Sequence, residues 1–136
     1  MALRLIKAST GATVASHVEL ALDRSTRRRG LLGRPGLAPM SAMLFSPCWM
    51  VHTAFMQFPI DVLFLDRDGR VVHVARELGP WRAAMSTRAR TVVELPARAA
   101  AGCGVNVGDC VTFAASGADV AFVPPVDVLP LEVRAC

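Results

Sequence analysis

Apolar residues in this chain fall in short runs separated by glycine, proline and aspartate, a pattern of strands and turns more than of long helices. Leu3 to Ala8 and Thr13 to Leu22 set apolar against polar positions, with His17 and Glu19 opposed to Val18 and Leu20. Such alternation predicts half-buried strands, and the second run also admits a helix. Val62-Leu63-Phe64-Leu65 contains no polar position, which predicts a strand buried on both faces or central to a sheet. Asp66-Arg67-Asp68-Gly69 should then turn the chain, the carboxylates accepting turn amides and Gly69 taking the positive φ of a type I turn with a bulge, with Arg70 to Leu78 as the returning strand. Further strands are expected at Met43 to Phe45, Cys48 to Phe55, Thr91 to Leu95 (stopped by Pro96) and Cys110 to Ala114, with a helical turn at Ala97 to Ala101.

One further helix is expected. Asp23 or Ser25 can cap a short segment near residues 25–32, which Gly33 can end in a left-handed conformation before Pro35, Gly36 and Pro39. The prediction is a mainly β chain, a single-domain β-sandwich or barrel-like fold over residues 1–136, with an extended tail from 114 whose prolines 124, 125 and 130 favour packing along an edge.

Composition narrows the possibilities. At 136 residues, 53% hydrophobic and 19% charged, the chain has enough apolar surface for one generous core and is unlike a disordered segment. The net charge of +4 is gathered at the front, where Arg24, Arg27, Arg28, Arg29 and Arg34 lie without an interleaved aromatic, so no nucleic-acid groove is expected and a solvated face or carboxylate partners account for them. The N-terminal residues are broken by charge and no run reaches the length of a membrane helix, which predicts a soluble, cytoplasmic protein. Cys48, Cys103, Cys110 and Cys136 form no Cys-x-x-Cys pair and are expected as reduced thiols.

Several ordered motifs carry a family resemblance. Arg29-Gly30-Leu31-Leu32-Gly33-Arg34, Met43-Leu44-Phe45, the run from Val51-His52-Thr53-Ala54-Phe55-Met56 through Pro59-Ile60-Asp61 to Asp66, then Asp68-Gly69, Val93-Glu94-Leu95-Pro96 and Gly108-Asp109, resemble the signature of the domain-of-unknown-function family 192, over a core of residues 24–113. The resemblance implies a bacterial or archaeal protein with a compact, mainly β fold of sandwich type and no established substrate. Two positions depart from the pattern: Ala42 and Arg98 stand where the family usually has glycine. The first questions a tight backbone approach, and the second suggests a differently built turn after Pro96.

Three chemical readings remain open. The first is a non-catalytic module binding a small molecule or protein through His52, Thr53, Met56 and Asp61, with Arg34 and Glu94 nearby, because polar and soft groups concentrate there in an otherwise apolar chain. The second is a small enzyme in which His52 and Asp61, brought together by a bend at Pro59, move protons, with Cys48 as a possible nucleophile. The third is a copper-handling protein: if residues 48–56 were one strand, Cys48, Met50, His52 and Met56 would share a face and offer soft donors to Cu(I). No organic cofactor is expected, since Gly30-x-x-Gly33 and Gly102-x-Gly104 lack the strand-to-helix setting of a phosphate loop. His17 and His73 are expected as surface residues, and Trp81, after Gly79-Pro80, either meets a ligand or closes the core.

Overall fold

The computed structural model describes residues 3–21, 30–115 and 122–123. They form a mainly β fold: β1 (Leu3–Lys7), β2 (Thr13–Leu20), β3 (Ser41–Phe45), β4 (Met50–His52), β5 (Ile60–Leu65), β6 (Val71–Leu78), β7 (Ala83–Met85), β8 (Thr91–Pro96), a one-turn helix α1 (Ala99–Gly102), β9 (Val111–Ala115) and β10 (Phe122–Val123). Eight strands make one sheet in the order β10-β9-β1-β2-β3-β8-β5-β6, and β4 and β7 make a separate two-stranded ribbon. Every neighbouring pair in the large sheet is antiparallel except β2 and β3, which run parallel.

The sheet curls on itself. A bridge between Arg70 and Cys110 joins the start of β6 to the start of β9, and amide bonds from Val71 to Asp109 (2.8 Å) and from Val111 to Gly69 (2.9 Å) fasten the seam. Seven strands, β9 to β6, thus wrap a first core of Leu5, Val14, Val18, Leu44, Leu63, Leu65, Val93, Leu95 and Phe113. The convex side of β3, β8 and β5 carries a second core, where Met43, Phe45, Val62, Phe64 and Val92 meet Leu31, Cys48, Val51 and Met56. All six residues of β5 are therefore buried, as its unbroken apolar run predicts.

The β5–β6 turn follows the expected chemistry. Asp66 Oδ1 accepts from the amides of Asp68 and Arg70, both at 2.9 Å, and Gly69 adopts φ +82. Gly69 also lies where the seam closes, and a Cβ there would stand 2.7 Å from the carbonyl oxygen of Val111.

Other expectations shift in detail. The run after Thr13 is strand, and the proposed strand over 48–55 shrinks to Met50–His52. The helix expected near 25–32 falls largely outside the described residues, and Gly30 to Leu32 form turns. The described helix is α1, within a residue or two of the turn expected at Ala97 to Ala101. Arg98 holds φ +72, so the left-handed turn that glycine would favour is kept, with an arginine in it; Ala42 fits fully buried in the first core. Of the expected extended tail, Phe122 and Val123 add a short edge strand to β9, and the remainder lies outside the described residues.

Gly69→Ala combines a disfavoured φ with contact against backbone that cannot rotate away. It should lower unfolding free energy by about 1–3 kcal/mol, read from urea unfolding, whereas Gly36→Ala, whose added methyl meets nothing, should change it by less than about 1 kcal/mol.

Candidate functional site

The β4–β7 ribbon lies over the second core. Its register pairs Met50 with Met85, Val51 with Ala84 and His52 with Ala83. Directly opposed residues of an antiparallel pair project to the same side, and neighbours along each strand alternate. Val51, 7% exposed, and Ala84 pack inward on the second core, which leaves Met50, Met85, His52 and Ala83 facing outward.

Thr53 ties the end of this ribbon together. Its Oγ1 accepts from the amide of Arg82 at 2.8 Å and donates to the carbonyl of Gly79 at 2.6 Å, while its own amide donates to Arg82 at 2.8 Å. The Thr53 carbonyl receives the amides of Met56 and Trp81 at 3.1 and 3.0 Å. This fully buried residue thereby fixes both chain segments that carry the outermost aromatics. Phe55 and Trp81 stand 70% and 63% exposed with ring centroids 4.5 Å apart, each on a backbone at positive φ (65 and 62). Left-handed conformations in bulky residues are costly, and persist where surrounding bonds over-determine them. Trp49 and Met85, 46% and 54% exposed, extend the apolar surface.

The residues singled out from the sequence separate into different settings. His52 is exposed on the ribbon's outer side, and among the described residues nothing hydrogen-bonds its ring. Thr53 is the brace just described, and Met56, 7% exposed, belongs to the second core. Asp61 is sealed within the packing, its Oδ1 accepting from the amide of Glu77 at 2.8 Å and its Oδ2 from the amide of Ala100 at 3.0 Å. Both oxygens are thus engaged by backbone, and no His52–Asp61 hydrogen bond forms. Arg34 pairs with Glu19 through two bonds of 2.9 and 3.3 Å, and this contact holds Glu19 below the usual carboxylate range.

The soft-donor set expected from one continuous strand is not assembled. Cys48 and Met56 turn into the second core while Met50 and His52 do not, because only three residues keep strand alternation. Cys48 is moreover disulfide-bonded, which corrects the expectation of a reduced thiol; Cys103 and Cys110 are free. Among the described residues no three of His, Cys, Asp and Glu gather as metal ligands. Two surface features lie outside the residues the sequence singles out: Phe55, 70% exposed, and Met85, 54% exposed, in a segment with no strand signal.

Glu94 is different again. It lies on the convex face of β8, opposite Met43 on β3 and Val62 on β5, only 5% exposed. Among the described residues it has neither a hydrogen bond nor an ion pair, and burial pushes its pKa up to about 8. A buried carboxyl without a partner keeps its proton because the ionised form loses its hydration.

The family model for DUF192, described as "Uncharacterized ACR", matches residues 5–113. The chain belongs to the DUF192 family. No curated protein matches it. A solved structure from Sinorhizobium meliloti 1021, a protein provisionally described as a transcription regulator, is 33% identical with a TM-score of 0.67, covering 80% of this chain and 89% of that one. A protein of unknown function from Novosphingobium aromaticivorans DSM 12444 is 23% identical with a TM-score of 0.70, covering 82% of this chain and 83% of that one, and shares the fold.

Two outcomes test these assignments. Thr53→Val deletes the hydroxyl and should cost about 1–3 kcal/mol in thermal unfolding and alter the near-ultraviolet signal of the Phe55–Trp81 pair, while Thr53→Ser, which keeps the hydroxyl, should retain that signal. For Glu94 the folded state holds its proton to about pH 8 and the unfolded chain releases it near 4.5, so its contribution to stability is full below 4.5 and falls as pH rises to about 8. Urea unfolding across that window should show this loss, at a slope approaching about 1.4 kcal/mol per pH unit, and Glu94→Gln should flatten it.

Proposed function

We propose that this DUF192 protein is a non-catalytic binding module that docks an acidic, apolar segment of a partner protein on the outer side of the β4–β7 ribbon. The observation that carries this reading is the composition of that side. Trp49, Phe55, Trp81 and Met85 are all exposed on the segments that build the ribbon, and residues 46–60 and 79–90 carry the exposed Arg82 and Arg88 but no aspartate, glutamate or lysine. Interface centres are enriched in tryptophan, phenylalanine, methionine and arginine, and depleted in lysine and acids. Aromatic rings held in place by a buried hydrogen-bonded brace also lose little freedom on binding, which favours affinity. The exposed Arg82 and Arg88, with no acid in either segment, favour a partner rich in carboxylates.

Within this reading His52 contacts the partner directly, Thr53 and Met56 support the surface from beneath, and Asp61, Arg34 and Glu94 maintain the fold around it. No His/Asp chemistry enters, because Asp61 spends both oxygens on backbone amides. Among the described residues no helix is long and apolar enough to cross a membrane. A bacterial origin is in keeping with the two solved relatives. The cytoplasmic location expected from the N-terminal residues competes with the disulfide at Cys48, since cytosolic reductants keep most thiols reduced.

Both tryptophans of the chain lie on or beside this surface, so intrinsic fluorescence reports on it alone. Peptides selected from a random display library should be acidic and apolar, and should shift the tryptophan emission. Their affinity should fall at least tenfold in the Phe55→Ala/Trp81→Ala double variant, assayed by polarisation of labelled peptide, with its melting temperature nearly unchanged. Peptides that bind the double variant equally well would place recognition elsewhere. Preferential binding of duplex DNA, weakening steeply with salt, would instead support the role suggested by the Sinorhizobium relative's description.

A further inference from the structure

The outward face of the ribbon brings together three neutral soft donors. Met50 and Met85 are directly opposed, and His52 lies two residues along β4 on the same side, opposite the small Ala83. Directly opposed Cβ atoms are about 5 Å apart and next-but-one neighbours on a strand about 7 Å. Each thioether rides on three rotatable bonds, so both sulfurs and one imidazole nitrogen can close around a single ion without backbone movement. The imidazole is available, since among the described residues nothing bonds it, and Met85 is 54% exposed.

We propose that Met50, His52 and Met85 form a surface site for a soft monovalent cation, Cu(I) or Ag(I). Donor chemistry decides the ion. Thioether sulfur and imidazole match a polarisable monovalent cation, whereas Zn(II) favours thiolates and additional imidazoles, and Ca(II) and Mg(II) require oxygen ligands. Residues 46–60 and 79–90 offer no carboxylate to attract a hard divalent ion. Phe55 lies two residues beyond Thr53 and Trp81 two before Ala83, so this ring pair sits just past the His52 end of the ribbon and can shelter a weakly hydrated cation. This site differs from the set expected to share one face of a continuous strand: it exchanges Cys48 and Met56, which the second core claims, for Met85, which cross-strand pairing supplies. It shares His52 and Met85 with the proposed docking surface but takes no ligand from the aromatic pair, so variants of that pair separate the two.

The test uses Ag(I), which undergoes no redox change, on full-length protein whose accessible thiols have been blocked with N-ethylmaleimide and whose methionine methyls carry carbon-13. One equivalent of Ag(I) should shift the methyl signals of Met50 and Met85 and the ring proton of His52, leaving the buried Met43 and Met56 unmoved. Met85→Leu and His52→Ala should each weaken Ag(I) binding at least tenfold against a competing chelator, at unchanged melting temperature, and Zn(II) should not displace the ion. Shifts confined to Met1 or Met40, equal affinity in Met85→Leu, or displacement by equimolar Zn(II) would each overturn the assignment. The Phe55→Ala/Trp81→Ala protein separates the two readings: retained silver binding with lost peptide binding upholds both, and lost peptide specificity in the wild type leaves the ion site standing.

Discussion

Strand β5 sets the terms for the rest of the molecule. Ile60 to Leu65 offers an apolar side chain on both faces except at Asp61, and each face must be removed from water for the strand to be stable. The curled sheet covers one face. The other lies on the convex side, where an open antiparallel sheet would ordinarily meet solvent, so the chain must supply a second cover. Residues between β3 and β5, and between β6 and β8, provide it: Cys48, Val51 and Met56 from the first segment and Ala84 and Ala89 from the second pack onto Met43, Phe45, Val62, Phe64 and Val92.

A two-stranded cover can bury only one of its own faces. Once Val51 and Ala84 point down, Met50, His52, Met85 and Ala83 must point out, and the connections at the ribbon's end must reverse direction within a few residues. Those reversals place Phe55 and Trp81 at positive φ, a conformation each would avoid alone, and Thr53 holds them there through bonds made from a fully buried position. If the exposed aromatics had only a packing role, they could have folded onto the second core beneath. Their outward placement costs backbone strain and exposes apolar surface.

What the sequence reveals here follows from how local each determinant is. The β5–β6 hairpin is legible because Asp66 and Gly69 make its turn within five residues, and β5 is legible because its apolar run admits few other readings. Residues 48–56 mislead, since strand alternation holds only from Met50 to His52 and a left-handed Phe55 breaks the count on which a shared face for Cys48 and Met56 depended. Strand β7 carries no signal of its own: Ala83-Ala84-Met85 becomes a strand by pairing with β4, a contact some thirty residues distant. The expected approach of His52 to Asp61 fails for a related reason. Asp61 sits on the first-core side of β5 and is engaged by amides at Glu77 and Ala100, partners whose positions depend on β6 and α1 being in place.

The two buried carboxyls of this sheet show why burial by itself does not identify a site. Asp61 joins three elements, since accepting amides from the end of β6 and the start of α1 satisfies groups that would otherwise be unpaired inside the fold. Glu94, on the neighbouring strand one position out of register and on the opposite face, has apolar neighbours across both adjacent strands and retains its proton instead. A carboxyl held neutral on that convex face spares the second core an uncompensated negative charge beneath the ribbon. The ribbon segments above it, residues 46–60 and 79–90, contain no acid of their own.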